Sequence, residues 1–295
     1  MNHYAYGSNI DTVVAERDIV LTYVLKILDE AKMLDSLAFK GGTCLKKIYY
    51  GKTTRFSEDL DFTSIDNKNA VHLHKRLKEI FHDKEHYGIT FKIEEEHTKE
   101  EGVTLSHLAI ISYKHEWHSD QFDLEVSYRE RPALPVKYLP LKNELYFRYL
   151  QFKNIDVPSL NREELMSEKI RATLQRCRPR DVYDLYRYSR SPYNKELVKT
   201  LAVIKCWNVH DPFDPKSLLN KIQNEMYRWS DLERLVRPAQ LPNRKNLISD
   251  TVRHYAYLKE LKSDLQQIAN DSAKHKLALN VKKILSDLKT ESYIM

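Results

Sequence analysis

The chain has 295 residues, 42% of them hydrophobic, enough for one large buried core or two modest ones without covalent staples. Its cysteines, Cys44, Cys177 and Cys206, are odd in number and lack CxxC spacing, which speaks against a disulfide framework and a cysteine zinc site. No basic-then-apolar leader opens the chain and no long apolar run follows, so export and membrane spanning are not expected and a reducing cytoplasm is; the net charge of +6 allows a polyanionic partner without demanding one.

In chain order, apolar residues at three- and four-residue spacing (Val14, Ile19, Val20, Tyr23, Val24, Ile27, Leu28, Leu34) predict an amphipathic helix from about Asp11 to Ala38. After "FKGG", Thr43 to Tyr50 reads as a short helix, "GKTTRFSE" as a loop and "DLDFT" as a strand. A polar helix is predicted from about Asn67 to His86, stopping before Gly88. Three strand-like runs follow, "ITFKIEEE" from Ile89, "SHLAIISYKHEW" from Ser106 and "QFDLEVSYRE" from Gln121, with turns suited to antiparallel pairing. Prolines 132, 135 and 140 interrupt the pattern, and a short run, "YLQFKNIDVPS", precedes a change to helical periodicity, with segments at 161–176, 180–189, 194–207, 215–229 and 246–289. The reading is α+β in residues 1–159 and all-helical in residues 160–295.

The chemistry concentrates in "FKGGTCLKKIYYGKTTRFSEDLDFTS". Asp59 and Asp61, two apart on a strand, share a face while Leu60 and Phe62 point to the core. Two like charges side by side call for a counterion, and Mg²⁺ (or Mn²⁺) commonly takes one or two carboxylates plus substrate phosphates. A DxD alone is more often a polar edge strand. Here Gly41 and Gly42, lacking Cβ atoms, permit a sharp turn whose N–H groups approach phosphate, and Thr43 opens a helix whose start favours anions. The layout strand, GG, helix, loop, DxD suits transfer of a nucleotidyl group from a nucleoside triphosphate. Ser57 and Arg55 precede the acids and could reach the same phosphates. A third acid comes from "QFDLEVSY", where Asp123 and Glu125 share one face; Glu125 is preferred because it sits deeper in the strand, and Asp123 stays open. Lys40, Lys46, Lys47, Lys52 and Arg55 are candidates to guide an RNA backbone.

In the helical part, "EKIRATLQRCRPRDVYDLYRYSRS" breaks at Pro179, sets Lys169, Thr173 and Arg176 along one helical face, and spaces Asp181 and Asp184 three apart on the next helix. Arg180 can pair with Asp184 at i,i+4. This composition is commonly a salt-bridged hairpin, though Lys169 could equally meet a triphosphate as a point charge.

Together "KGGTCLKKIY…RFSEDLDF", "FDLEVSYRE" and "SLNREELMSEKIRATLQRCRPRDVYDLY" resemble the AbiEii/MenT type nucleotidyltransferase toxins of toxin–antitoxin and abortive-infection systems, over roughly residues 10–190. The resemblance implies a DNA-polymerase-β-like core joined to a helical C-terminal domain. It places the family's Gly-rich turn on Gly41, Gly42 and Thr43, its metal acids on Asp59 and Asp61, and its motif lysine and later aspartate on Lys169 and Asp184, with Asp181 an open alternative. It further implies an NTP substrate, CTP or UTP favoured, the 3′ acceptor end of tRNA as target, blocked aminoacylation and translation, and a cognate antitoxin. Cys44 departs from the small apolar residue expected there. Two other readings stand beside this one: the same chemistry on a protein or small-molecule hydroxyl, and a non-catalytic RNA- or antitoxin-binding module. Monomer is the default oligomeric state.

Overall fold

The structure is a computed structural model describing residues 2–66, 70–101 and 104–294, and the chain divides into two compact units. The first comprises Met1–Pro132 and Val136–Leu160; the second comprises Ala133–Pro135 and Asn161–Met295.

The first unit opens with α1 (Asn2–Ser8) and α2 (Thr12–Glu30), the latter capped by the Asp11 carboxylate, which accepts from Val13 N at 2.7 Å. The predicted first helix is overrun at its C-terminal end. The α2 helix stops at Glu30, Lys32 takes a positive φ of 57°, and Leu37–Lys40 forms strand β1, whose burial on both faces explains the apolar run that periodicity alone reads as helix. The Gly41–Cys44 turn (α3) continues into a π-helical run, Leu45–Tyr50, and then β2 (Leu60–Ser64).

Next come α4 (Ala70–Phe81), β3 (Lys84–His86), β4 (Ile89–Glu101), β5 (Thr104–Lys114), β6 (Ser119–Ser127), β7 (Lys137–Pro140) and β8 (Asp156–Ser159). The helix expected from Asn67 to His86 ends at Phe81 instead, and its last residues pair with β4 (His86 with Ile89) around Gly88 at φ +74°; Asn67–Asn69 lie outside the described residues. Strand β7 carries a proline, which an edge position tolerates because no partner there needs its N–H.

Among the described residues the eight strands join one mixed sheet in the order β3-β4-β5-β6-β2-β1-β8-β7. The pairs β2·β6 and β1·β8 are parallel and the others antiparallel. Phe39, Phe62, Leu124, Val126 and Val157 are fully buried, and the Phe39 and Phe62 rings pack 5.3 Å apart. Burying such apolar side chains is worth about 1.5–3 kcal/mol each, which makes β1, β2 and β6 the rigid centre of the sheet.

The second unit is helical: α5 (Arg162–Arg176), α6 (Pro179–Tyr188), α7 (Lys195–Trp207), α8 (Pro215–Asn224), α9 (Ser230–Glu233), α10 (Arg244–Tyr255), α11 (Ser263–Asn270) and α12 (Ala278–Ile294). The α5 helix is capped by Asn161 and ends on Cys177 in the left-handed conformation; Pro179 then starts α6 at a position that needs no N–H donor. Glu164, fully buried, is satisfied by the Ala133 and Leu134 amides (2.9 and 3.0 Å) and by Lys205 (2.7 Å). The long helix expected at 246–289 is instead α10, α11 and α12 with breaks between them.

Candidate active site

The β2·β6 ladder sets Asp61 opposite Glu125, with Leu60 opposite Leu124 and Phe62 opposite Val126. Directly paired residues on neighbouring strands share a face, so Asp61 and Glu125 present their carboxylates on the same side while the apolar pairs are buried on the other. Asp59 lies one residue before β2 begins, and Asp123 lies two residues before Glu125 on the acid face. Asp59, Asp61, Asp123 and Glu125 are all half-buried.

On the other side of β2, Lys40 of β1 pairs with Asp61, and the chain then turns at Gly41 with φ +74°. A Cβ at Gly41 would overlap the Asp61 carboxylate, so that carboxylate lies directly against the glycine backbone. A Cβ at Gly42 would come 2.5 Å from the Arg55 guanidinium and 3.0 Å from Ser57 Oγ. The glycine pair is therefore roofed by the side chains that precede and belong to the DxD segment. The Thr43 hydroxyl, buried, donates to the Asp59 carbonyl and ties the glycine turn to the start of β2.

Arg17 of α2 is a positioning residue that no local pattern marks. It bridges Glu58 (3.0 Å) and Asp120 of β6, joining the segment before Asp59 to the strand that carries Glu125. Burial pulls the guanidinium pKa down, but the bond and charge of Asp120, with Glu58, more than reverse this and hold it above its ordinary value. Its partners are 41 and 103 residues away, which is why a sequence window cannot find it.

Three of the cations expected to guide RNA have other work. Lys46 is buried, ion-paired with Glu144, and stands 4.9 Å from the Phe56 ring centre. Lys47 is buried on Asp18 (3.0 Å), the Asp18 carbonyl (2.7 Å) and Thr22 Oγ1 (2.8 Å). Arg55 is buried over Gly42 and donates to the Phe56 carbonyl at 2.9 Å. A charge without solvent access cannot steer a polyanion through water. Lys40 is half-buried and Lys52 is exposed.

In the second unit Lys169 is gripped by two carboxylates, Asp181 at 3.1 Å and Asp184 at 2.9 Å. The sequence left these aspartates as alternatives; both hold the lysine, because residues three apart on α6 face α5 together. Arg176 adds a bond to Asp181 at 3.0 Å. Burial would raise the Asp181 pKa, but Lys169 and then Arg176 overcome it and hold the carboxyl far below its usual range. Thr173 donates to the Lys169 carbonyl within α5, and Arg180 is half-buried at the start of α6.

The oxygen-only donor set of Asp59, Asp61 and Glu125 suits a hard divalent ion, and the Asp61 carboxylate lies directly against the glycine turn. The family described as "Nucleotidyl transferase AbiEii toxin, Type IV TA system" matches residues 23–272. The chain belongs to this AbiEii toxin family. It is thus a nucleotidyltransferase toxin of a type IV toxin–antitoxin system, a class that implies an antitoxin partner.

Among solved structures, the MenT4 nucleotidyltransferase toxin of Mycobacterium tuberculosis H37Rv is 22% identical, with 94% of this chain and 93% of that one covered at a TM-score of 0.79, so the AbiEii chain shares its fold. JHP933 from Helicobacter pylori is 18% identical over 93% of this chain and 99% of that one, at a TM-score of 0.49. A comparison with curated proteins gives no match. Among the described residues, no helix of the AbiEii chain is long and apolar enough to cross a membrane.

Proposed function

We propose that this AbiEii-family toxin transfers a nucleoside monophosphate from an NTP, CTP or UTP by preference, to the 3′-hydroxyl at the acceptor end of tRNA, blocking aminoacylation. The observation that carries the reading is Asp61 facing Glu125 across the parallel β2·β6 ladder with its carboxylate against Gly41, which brings the paired acids and the phosphate-type turn to one place. Asp59 and Asp61 would hold Mg²⁺ or Mn²⁺, with Glu125 completing the acidic set; the ion, when bound, supplies charge neutralisation at the transferred phosphate. The chain's own part is to fix the carboxylates on a rigid strand, to offer the Gly41 and Gly42 amides to phosphate oxygens with Ser57 beside them, and to place an acid, Glu125, able to accept the proton of the attacking hydroxyl. On the sequence resemblance Lys169 would neutralise triphosphate charge, with Asp184 positioning Lys169 or Arg180.

The test is incubation of the purified chain with each α-labelled NTP and Mg²⁺, together with either tRNA or a protein extract. Label at the tRNA 3′ end supports the proposal, and label only on protein or on a small molecule moves the acceptor. Absence of transfer from all four NTPs to any acceptor would leave only a binding role.

A further inference from the structure

The opposite face of the same sheet carries a second set of metal-type donors, on residues that no part of the nucleotidyl-transfer reading uses. Leu108 of β5 pairs with Glu125, and the next residue back, His107, pairs with Val126, so His107 points away from the acids. Glu96 of β4 pairs with Ala109, two residues from His107, which makes Glu96 and His107 diagonal neighbours on that face. His74 arrives from α4, a helix held down by buried Leu73, Leu77 and Phe81, the last ring edge-on to Phe91 of β4 at 5.4 Å.

Glu96 accepts from both imidazoles, through Oε2 from His74 Nδ1 at 2.6 Å and through Oε1 from His107 Nε2 at 3.0 Å. One candidate ligand atom from each residue lies within 4.8 Å of the other two. His107 is buried and Glu96 half-buried, whereas the His74 side chain is 39% exposed and is the most open of the three. His107 meets Glu96 through Nε2, and its other nitrogen, Nδ1, is buried without a hydrogen-bond partner, which an ion on Nε2 would not supply.

We propose that His74, Glu96 and His107 bind a divalent first-row transition-metal ion, Zn²⁺ above all, which pins α4 to the β4–β5 hairpin. Two imidazoles and one carboxylate are the donors such an ion prefers, whereas Mg²⁺ favours all-oxygen sites. At metal–ligand distances of about 2.1 Å, tetrahedral ligand atoms sit roughly 3.4 Å apart, and one candidate ligand atom from each of the three residues already lies within 4.8 Å of the others. The remaining closure falls to His74, the most exposed of the three. Three protein ligands leave one position for water. Because the site lies across the sheet from Asp61, its effect is on stability, with nucleotidyl transfer unchanged.

The experiment uses the full chain stripped with chelator and titrated with ZnCl₂ by calorimetry, with Co²⁺ as a visible-absorption probe. One tight equivalent is expected, with a raised Tm and the absorption of a low-coordinate Co²⁺ ion. His74→Ala, a change at the exposed ligand that spares the core, should weaken Zn²⁺ at least about 10-fold, as should Glu96→Gln. An Asp59→Asn/Asp61→Asn variant should keep the equivalent, which separates this site from the acidic one. Zn²⁺ uptake equal in wild type and His74→Ala, no Co²⁺ absorption, or displacement by Mg²⁺ at comparable concentration would each overturn the assignment.

Discussion

Asp61 and Glu125 stand opposite each other on parallel strands and 64 residues apart in the chain, and of the strands between them in sequence, β5 pairs with β6 on its far side. The acids therefore ride on the two central strands of the sheet, where neither can slip without turning the buried Leu60, Phe62, Leu124 and Val126 out to solvent.

Replacing either acid should remove activity without removing the fold. Asp61→Asn and Glu125→Gln are expected to lower NMP transfer by roughly 10²–10³-fold or more, with circular dichroism and Tm close to wild type. Measured rates within about 3-fold of wild type, well inside that range, would detach the acids from the chemistry.

Gly41→Ala acts on two levels. The backbone at φ +74° disfavours any side chain by on the order of 1 kcal/mol, and the new methyl displaces the Asp61 carboxylate. Thermal unfolding should show a modest loss, while NMP transfer falls as far as in Asp61→Asn. Gly42→Ala, which meets Arg55 and Ser57 instead, should spare Asp61 and raise the KM for NTP more than it lowers kcat.

Lys169→Ala leaves Asp181 and Asp184 buried together without their shared cation, a loss on the order of 3–5 kcal/mol. Asp184→Asn is gentler, since Asp181 still holds the lysine. If Lys169 also serves the triphosphate, Lys169→Arg should keep most of the stability and yet raise the KM for NTP; an unchanged KM confines the lysine to holding α5 against α6.

Acid should destabilise the first unit through Asp18. Burial would raise this carboxyl, but Lys47 and then Lys46 reverse it and hold it at about 2, against an ordinary 3.8. A lowered carboxyl pKa contributes stability above the unfolded value and loses it as pH falls through the folded one, so on the order of 2 kcal/mol disappears between about pH 4 and pH 2. Lys47 is itself pushed down, burial outweighing Asp18, so the pair's net worth is smaller than the carboxylate side suggests, though the acid limb belongs to Asp18. Denaturant melts at pH 5, 3.5 and 2.5 check this, and Asp18→Asn/Lys47→Met should flatten the slope.

Local chemistry made part of this legible in the sequence. Period-two alternation around Asp61 and Glu125 placed both on strands, and a glycine pair in a glycine-poor chain marked the turn, because each of these signals lies within a few residues of its cause. A strand before the glycine pair was expected, but its first residues, Leu37 and Ala38, were read into the preceding helix because a short strand buried on both faces has the same apolar run as the end of a buried helix. Lys46, Lys47 and Arg55 read as surface charges because a sequence window cannot see Glu144, Asp18 or the Gly42 backbone that receives them.

The sequence by itself determined which residues could do chemistry and which backbone positions had to be glycine, since side-chain type and allowed φ are properties of single residues. Only the tertiary structure decided that Glu125 and not Asp123 faces Asp61, that Asp181 and Asp184 share one lysine, and that His74, Glu96 and His107 meet on the far face. Strand register and helix docking follow from burying apolar surface across distant segments, a cooperative quantity that no stretch of sequence holds alone.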